Sequence, residues 1–215
     1  MQYKEPSNTI CDKTPAIGAL CRFAIMITGL ALVATQAQAQ ESTTNHYQLL
    51  LKYDFGTNNA TLAAIEDEVR LAKPEERAAI EQKLIGVVES PDATFPAKQY
   101  VCRMLCLVGS PKCVPVLAKL LTDEKLSHAA RIALQVIPDK AADKALLKAL
   151  GSTEGRIRIG IINSIGVRAD SGAVGDLADL LSSKDEATVA EALNSLARIG
   201  TTKAAGPPCS CWLTR

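Results

Sequence analysis

Ala192-Leu193-Asn194-Ser195-Leu196-Ala197-Arg198-Ile199-Gly200 repeats, 31 residues later, the pattern of Ile161-Ile162-Asn163-Ser164-Ile165-Gly166, and this self-similarity decides the fold. Followed towards the N-terminus, the chain aligns with itself from about residue 95 at steps of 29, 31 and 31 residues. A period near 30 accommodates one pair of helices per unit. The first-helix rows are Val101, Ala130, Ile161 and Ala192, and one turn later Leu105, Leu134, Ile165 and Leu196. The second-helix rows are Leu117, Leu146 and Leu177, followed by Leu121, Leu150 and Leu181. Apolar residues at i and i+4 give each helix one buried stripe.

The punctuation between these rows has the same period. Gly109-Ser110-Pro111, Pro138-Asp139 and Ala169-Asp170-Ser171 separate first from second helices, and Gly200 holds that register in the last unit. Pro111 suits the start of a helix, and Asp139 and Ser171 are N-cap residue types. Breaks between units fall at Thr122-Asp123-Glu124, Gly151-Ser152-Thr153 and Ser182-Ser183-Lys184-Asp185. Aromatic residues make up only 4% of the chain and hydrophobic residues 47%, a composition that suits Ala/Leu-rich helices better than sheets.

These rows resemble those of the HEAT-repeat family, in particular secreted bacterial members whose units pair an Ala-x-x-x-Leu first helix with a Leu-x-x-x-Leu second helix. The resemblance covers residues 95–200. It implies an all-α fold, an α-solenoid of stacked HEAT-type helix hairpins, and a partner-binding face lined by the second helices. It carries no catalytic motif, because the matching positions are buried apolar rows. A helix pair at about Asn58 to Ala72 and Pro74 to Glu89 precedes the repeats, and residues 56–94 are read as a degenerate N-terminal capping pair.

Residues 1–39 read as a signal peptide. Lys4, Lys13 and Arg22 precede an apolar run from Phe23 to Ala34, and Ala37-Gln38-Ala39 supplies the small residues of a cleavage site. That run of about twelve residues falls short of the ~20 a membrane-spanning helix needs. Export to the periplasm or extracellular space follows, with residues 40–55 as a linker and no membrane association after cleavage. The segment holds three of the 24 basic and two of the 23 acidic residues, so the mature chain is formally neutral. A neutral chain disfavours nucleic acid, whose binding draws on a basic excess.

At the other end the Leu-x-x-x-Leu pattern fails. Thr201-Thr202-Lys203-Ala204-Ala205 begins as a second helix and is replaced by Gly206-Pro207-Pro208-Cys209-Ser210-Cys211-Trp212. Residues 201–215 therefore read as an atypical, truncated or frame-shifted tail, or as a tail that folds back with Trp212 over the open end. The uncovered helix edge would favour self-association.

Few residues carry reactive chemistry. Cys102 and Cys106 share a helix face and Cys113 follows across the turn, which admits a Cys106–Cys113 disulfide, buried free thiols, or, with too few ligands, zinc. His128 opens a first helix as a capping or packing residue. HEAT-like hydroxylases hold iron through His-Glu pairs on successive repeats, and no such pair is present here. The lyases on the same scaffold that attach bilins to cysteines are disfavoured by export. With no aromatic between Tyr100 and Trp212, the repeats lack stacking platforms for sugars or bases. The expected function is a non-catalytic, cofactor-free scaffold for a protein partner. Lys119, Lys144, Lys148 and Asp179 on the second helices are the candidate contacts. The alternative is a structural segment of a larger exported enzyme.

Overall fold

The computed structural model describes residues 46–57 and 59–205, with side chains to residue 200. Their helices are α1 (Asn59–Leu71), α2 (Pro74–Glu89), α3 (Phe95–Val108), α4 (Val114–Leu120), α5 (Ser127–Val136), α6 (Lys140–Leu150), α7 (Gly155–Arg168), α8 (Val174–Asp179) and α9 (Glu186–Ala205). Short 3-10 turns, Pro111–Cys113 and Ser171–Ala173, lead into α4 and α8. The described residues contain no strand, and the expected all-α stack of helix hairpins is the fold. First helices α3, α5, α7 and α9 lie side by side in one layer, with α2, α4 and α6 against them in a second.

The periodic rows form the seam between layers. Val101, Ala130, Ile161 and Ala192 are fully buried, as are Leu105, Leu134, Leu117, Leu146 and Leu177, while Leu196 is half-buried at the edge of the core. Small residues at this seam bring the last two first helices close together. A Cβ on Gly166 of α7 would lie 2.9 Å from the Ser195 Cα of α9, and the Ser195 hydroxyl donates to the Ile162 carbonyl at 2.9 Å. One row residue departs from expectation. Leu181 is 38% exposed, because α8 ends after six residues and the chain tightens into the 3-10 turn Leu180–Ser182. The tighter winding rotates Leu181 off the row, and Leu180 packs against the core instead.

Polar ties lock successive hairpins in register. The Arg168 guanidinium, on a side chain only 8% exposed, reaches from the end of α7 to Asp143 of α6. It also donates to the carbonyls of Leu134 (2.6 Å), Gln135 (3.3 Å), Ile137 (2.6 Å) and Asp139 (3.0 Å), at the end of α5 and in the turn into α6. Buried Glu81 of α2 accepts from the Ser110 N–H at 2.6 Å and the Ser110 hydroxyl at 2.7 Å, fixing the turn before α4.

Helix starts follow the sequence with one exception. Pro111 opens its 3-10 turn, and Asp139 caps α6 by accepting from Ala141 N–H at 2.7 Å. Before α8 the cap is Asp170, accepting from Gly172 N–H at 3.0 Å, and not Ser171. Asp170 is the residue left in extended backbone just outside the turn, which is the geometry a cap requires.

Two boundaries differ from expectation. Residues 46–51, expected within a linker, are helical, and Tyr47, Leu50 and Tyr53 enter the core. Thr94 holds this segment against α3, its N–H donating to Leu51 O at 3.0 Å and its hydroxyl to Tyr53 O. The anticipated turn at Gly200 is absent, and α9 runs through it to Ala205. An interior glycine costs a helix only ~1 kcal/mol, and neither proline nor an Asp cap follows to break it. The N-terminal pair matches, with α1 and α2 within a residue of their expected limits. The signal segment 1–39 and residues 206–215 lie outside the described residues.

Two substitutions test the seam. Arg168→Ala removes the partner of Asp143 and a donor to four carbonyls and is expected to cost about 3–5 kcal/mol in denaturant unfolding. Gly166→Ala forces α7 and α9 apart and is expected to cost about 1–3 kcal/mol, whereas Ala at exposed Gly175 should be neutral or stabilising.

Candidate functional site

The candidate contacts of the second helices are all exposed. Lys119 lies on α4, Lys144 and Lys148 on α6, and Asp179 on α8. Helical spacing explains this arrangement, since each stands two or more positions from a buried leucine of its own helix. Lys119 and Lys148 sit on adjacent packed helices. Lys119 is 3.5 Å from Glu89 at the end of α2, a solvent-exposed pair whose contribution is below about 1 kcal/mol. Lys140, Lys144 and Lys148 make the exposed face of α6 basic, and Asp176 and Asp179 make that of α8 acidic. The face therefore changes sign along the stack, so Asp179 does not extend a basic patch.

The thiols are placed together by α3 and the turn after it, and Cys102, Cys106 and Cys113 are all free in this structure, the buried-thiol arrangement that the sequence admits beside a Cys106–Cys113 disulfide. Each of the latter two donates to a local carbonyl, Cys106 to Cys102 O at 3.4 Å and Cys113 to Ser110 O at 3.1 Å. Burial pushes the Cys102 and Cys113 thiols up to about 12, with the Glu81 carboxylate adding to the effect at Cys113. Burial raises Cys106 as well. At neutral pH they are protonated and serve as small apolar groups, not nucleophiles. Among the described residues no group of His, Cys, Asp and Glu could hold a metal ion.

His128, at the start of α5, works through Arg131. Arg131 donates to His128 Nδ1 at 3.3 Å and to Gly160 O at 2.7 Å, bridging α5 to α7. Its guanidinium lies flat on Gly160, where a Cβ would come within 2.4 Å of it. Desolvation lowers the Arg131 pKa, and Ser164 Oγ, which accepts from Gln135 at 2.9 Å, completes the bridge. Beside it opens a cleft of about 540 Å³, where Arg131 and Arg156 face Glu124 and Glu154. Its two arginines balance its two glutamates, and at its wall the buried Arg131 Nε and Ser127 Oγ have no hydrogen-bond partner.

Sequence reasoning missed the aromatic cluster. Tyr53, Phe55, Phe95 and Tyr100 are brought together by the segment before α1 and the first turns of α3, with Phe55 edge-on to Tyr53 at 6.4 Å and to Phe95 at 6.2 Å. The available signal was the concentration of Tyr and Phe between residues 47 and 100, in a chain otherwise poor in them.

Raised thiol pKa values set an alkaline limit. A group whose folded pKa exceeds its unfolded value stabilises the fold below the unfolded pKa and stops doing so as pH rises through the folded one. For Cys102 and Cys113 that window runs from about 9 to about 12, and Tyr100, also pushed up to about 12 by burial, acts in its upper part. The melting temperature is expected to fall steeply across this range, and Cys102→Ala with Cys113→Ala should flatten the fall.

Comparison with known proteins matches residues 144–207, from within α6 through α9, to HEAT repeats. No curated protein matches the chain.

Proposed function

The chain is a HEAT-repeat protein, and we propose that it is an exported, non-catalytic scaffold that docks a protein partner. Proteins of this family are commonly interaction scaffolds and typically lack catalysis of their own. The observation that carries the reading here is the division of labour within each hairpin. The periodic residues are consumed by packing, and the second helices turn Lys119, Lys144 and Lys148 to solvent on neighbouring elements. Charge held on a rigid, repeated surface steers association and fixes register with a complementary partner. Export is supported by the basic, apolar and small-residue order of residues 1–39.

Two measurements test the proposal. Expressed with its full N-terminus in a bacterial host, the protein is expected in the exported fraction with Gln40 as its first residue. Recovery of the unprocessed chain in the cytoplasm would overturn the export reading. Mature protein immobilised against that fraction is expected to retain a partner, with Lys144→Glu plus Lys148→Glu reducing the yield at least ~tenfold. Equal yield from both proteins would remove these lysines from the interface.

A further inference from the structure

The first-helix layer carries a second surface with its own chemistry. A groove of about 520 Å³ runs between α3 and α5 and is bounded by the segment before α1. This is within the ~300–1,000 Å³ typical of ligand pockets. Its floor and walls include Tyr53, Phe55, Tyr100 and Ile132. Phe55 is 64% exposed and Ile132 41%, so the floor is apolar surface in contact with water. It is also ordered, because the edge-to-face contacts of Phe55 with Tyr53 and Phe95 hold the ring in place.

Two donors border this floor. The Arg103 guanidinium is stacked 5.5 Å from the Tyr100 ring centroid, and its N–H groups have no hydrogen-bond acceptor among the described residues. His128 lies on the opposite wall. Its Nδ1 accepts from Arg131, which can only donate, so Nε2 is the ring nitrogen left to donate. No carboxylate lines the groove. A cation stacked on a ring at the rim of an ordered apolar floor offers an anion attached to an apolar group both a charge partner and an apolar contact.

The apolar character also continues beyond the groove. Leu107, Val136 and Val167 occupy equivalent positions on α3, α5 and α7, and each is about half exposed. Since these helices pack side by side, the three residues lie along one line across the layer. Such an exposed row is unusual on a surface with no partner.

We propose that this groove binds a short linear segment of the protein partner in which one large apolar side chain is flanked by carboxylates. The apolar group sits on Phe55, Tyr53 and Ile132, and a carboxylate takes the donors of Arg103 and His128. The inference rests on the scaffold reading but assigns recognition to the first-helix face, away from Lys144 and Lys148.

The test uses a fluorescently labelled octapeptide with a central Leu-Trp flanked by Asp and Glu, titrated into the purified protein and followed by anisotropy. A control peptide carries Lys in place of the acids. The acidic peptide is expected to bind saturably and the basic one at least ~tenfold more weakly. Arg103→Glu and Phe55→Ser, both at exposed positions, should each weaken the acidic peptide ~tenfold or more while leaving the circular dichroism spectrum unchanged and the protein fully folded at the assay temperature. Arg103→Lys should give an intermediate loss, since it keeps charge but not the planar donor pair. No binding, equal binding of the two peptides, or indifference to both substitutions overturns the proposal. So does concentration-dependent dimerisation in sedimentation that Phe55→Ser abolishes, because the occupant is then a second copy of this chain. Partner capture that survives Arg103→Glu but is lost on Lys144→Glu with Lys148→Glu also overturns it, and leaves the scaffold reading intact.

Discussion

Arg168 reaching back across the stack shows the constraint on which the structure depends: a two-helix hairpin has more apolar surface than it can cover, so each unit is completed by its neighbour. The apolar rows supply most of the burial, but apolar contact alone tolerates sliding. Directional polar ties remove that freedom. Arg168 donates to the carbonyls at the end of α5, Arg131 lies across Gly160 of α7, and Ser195 donates to α7 from α9. Each is a donor crossing between units to an acceptor that the neighbouring helix leaves accessible.

The distribution of these ties bears on function. Crossing hydrogen bonds join α5 to α7 and α7 to α9, while Glu81 joins α2 to the turn before α4. Among the described residues no side-chain hydrogen bond crosses from the α3–α4 hairpin to the α5–α6 hairpin. That junction is held by apolar packing, and it is where the aromatic groove opens. The donors nearest to it, on Arg103, are stacked on a ring and otherwise uncommitted. The ordinary solution to hairpin stacking is thus applied everywhere except where the surface has the character of a recognition site.

Most buried polarity elsewhere is absorbed by the scaffold, the exceptions among the described residues being His46 Nδ1, Ser127 Oγ and Arg131 Nε. The cysteines are shielded thiols, Glu81 is consumed by Ser110, and the cleft beside Arg131 balances its own charge. What remains for partners is the two exposed faces, a basic one on the second helices and an aromatic one on the first.

Periodicity alone determined the helix pairs, their order and nearly all of the buried rows, because an i, i+4 stripe has only one stable use in a helix and a repeat of that stripe has only one stable use in a stack. Two departures from expectation arose locally, at helix ends, and a third depended on neighbours distant in sequence. Leu181 left its row because α8 ended early, α9 continued through Gly200 because nothing stopped it, and residues 46–53 joined the core because Thr94 and α3 received them. Distance in sequence also hid the groove. Tyr53 and Phe55 stand about forty residues from Phe95 and Tyr100 and more than seventy from Ile132, and no local pattern records that they meet. Local periodicity encodes which face of a helix is buried; only the packed structure decides which exposed side chains share a surface.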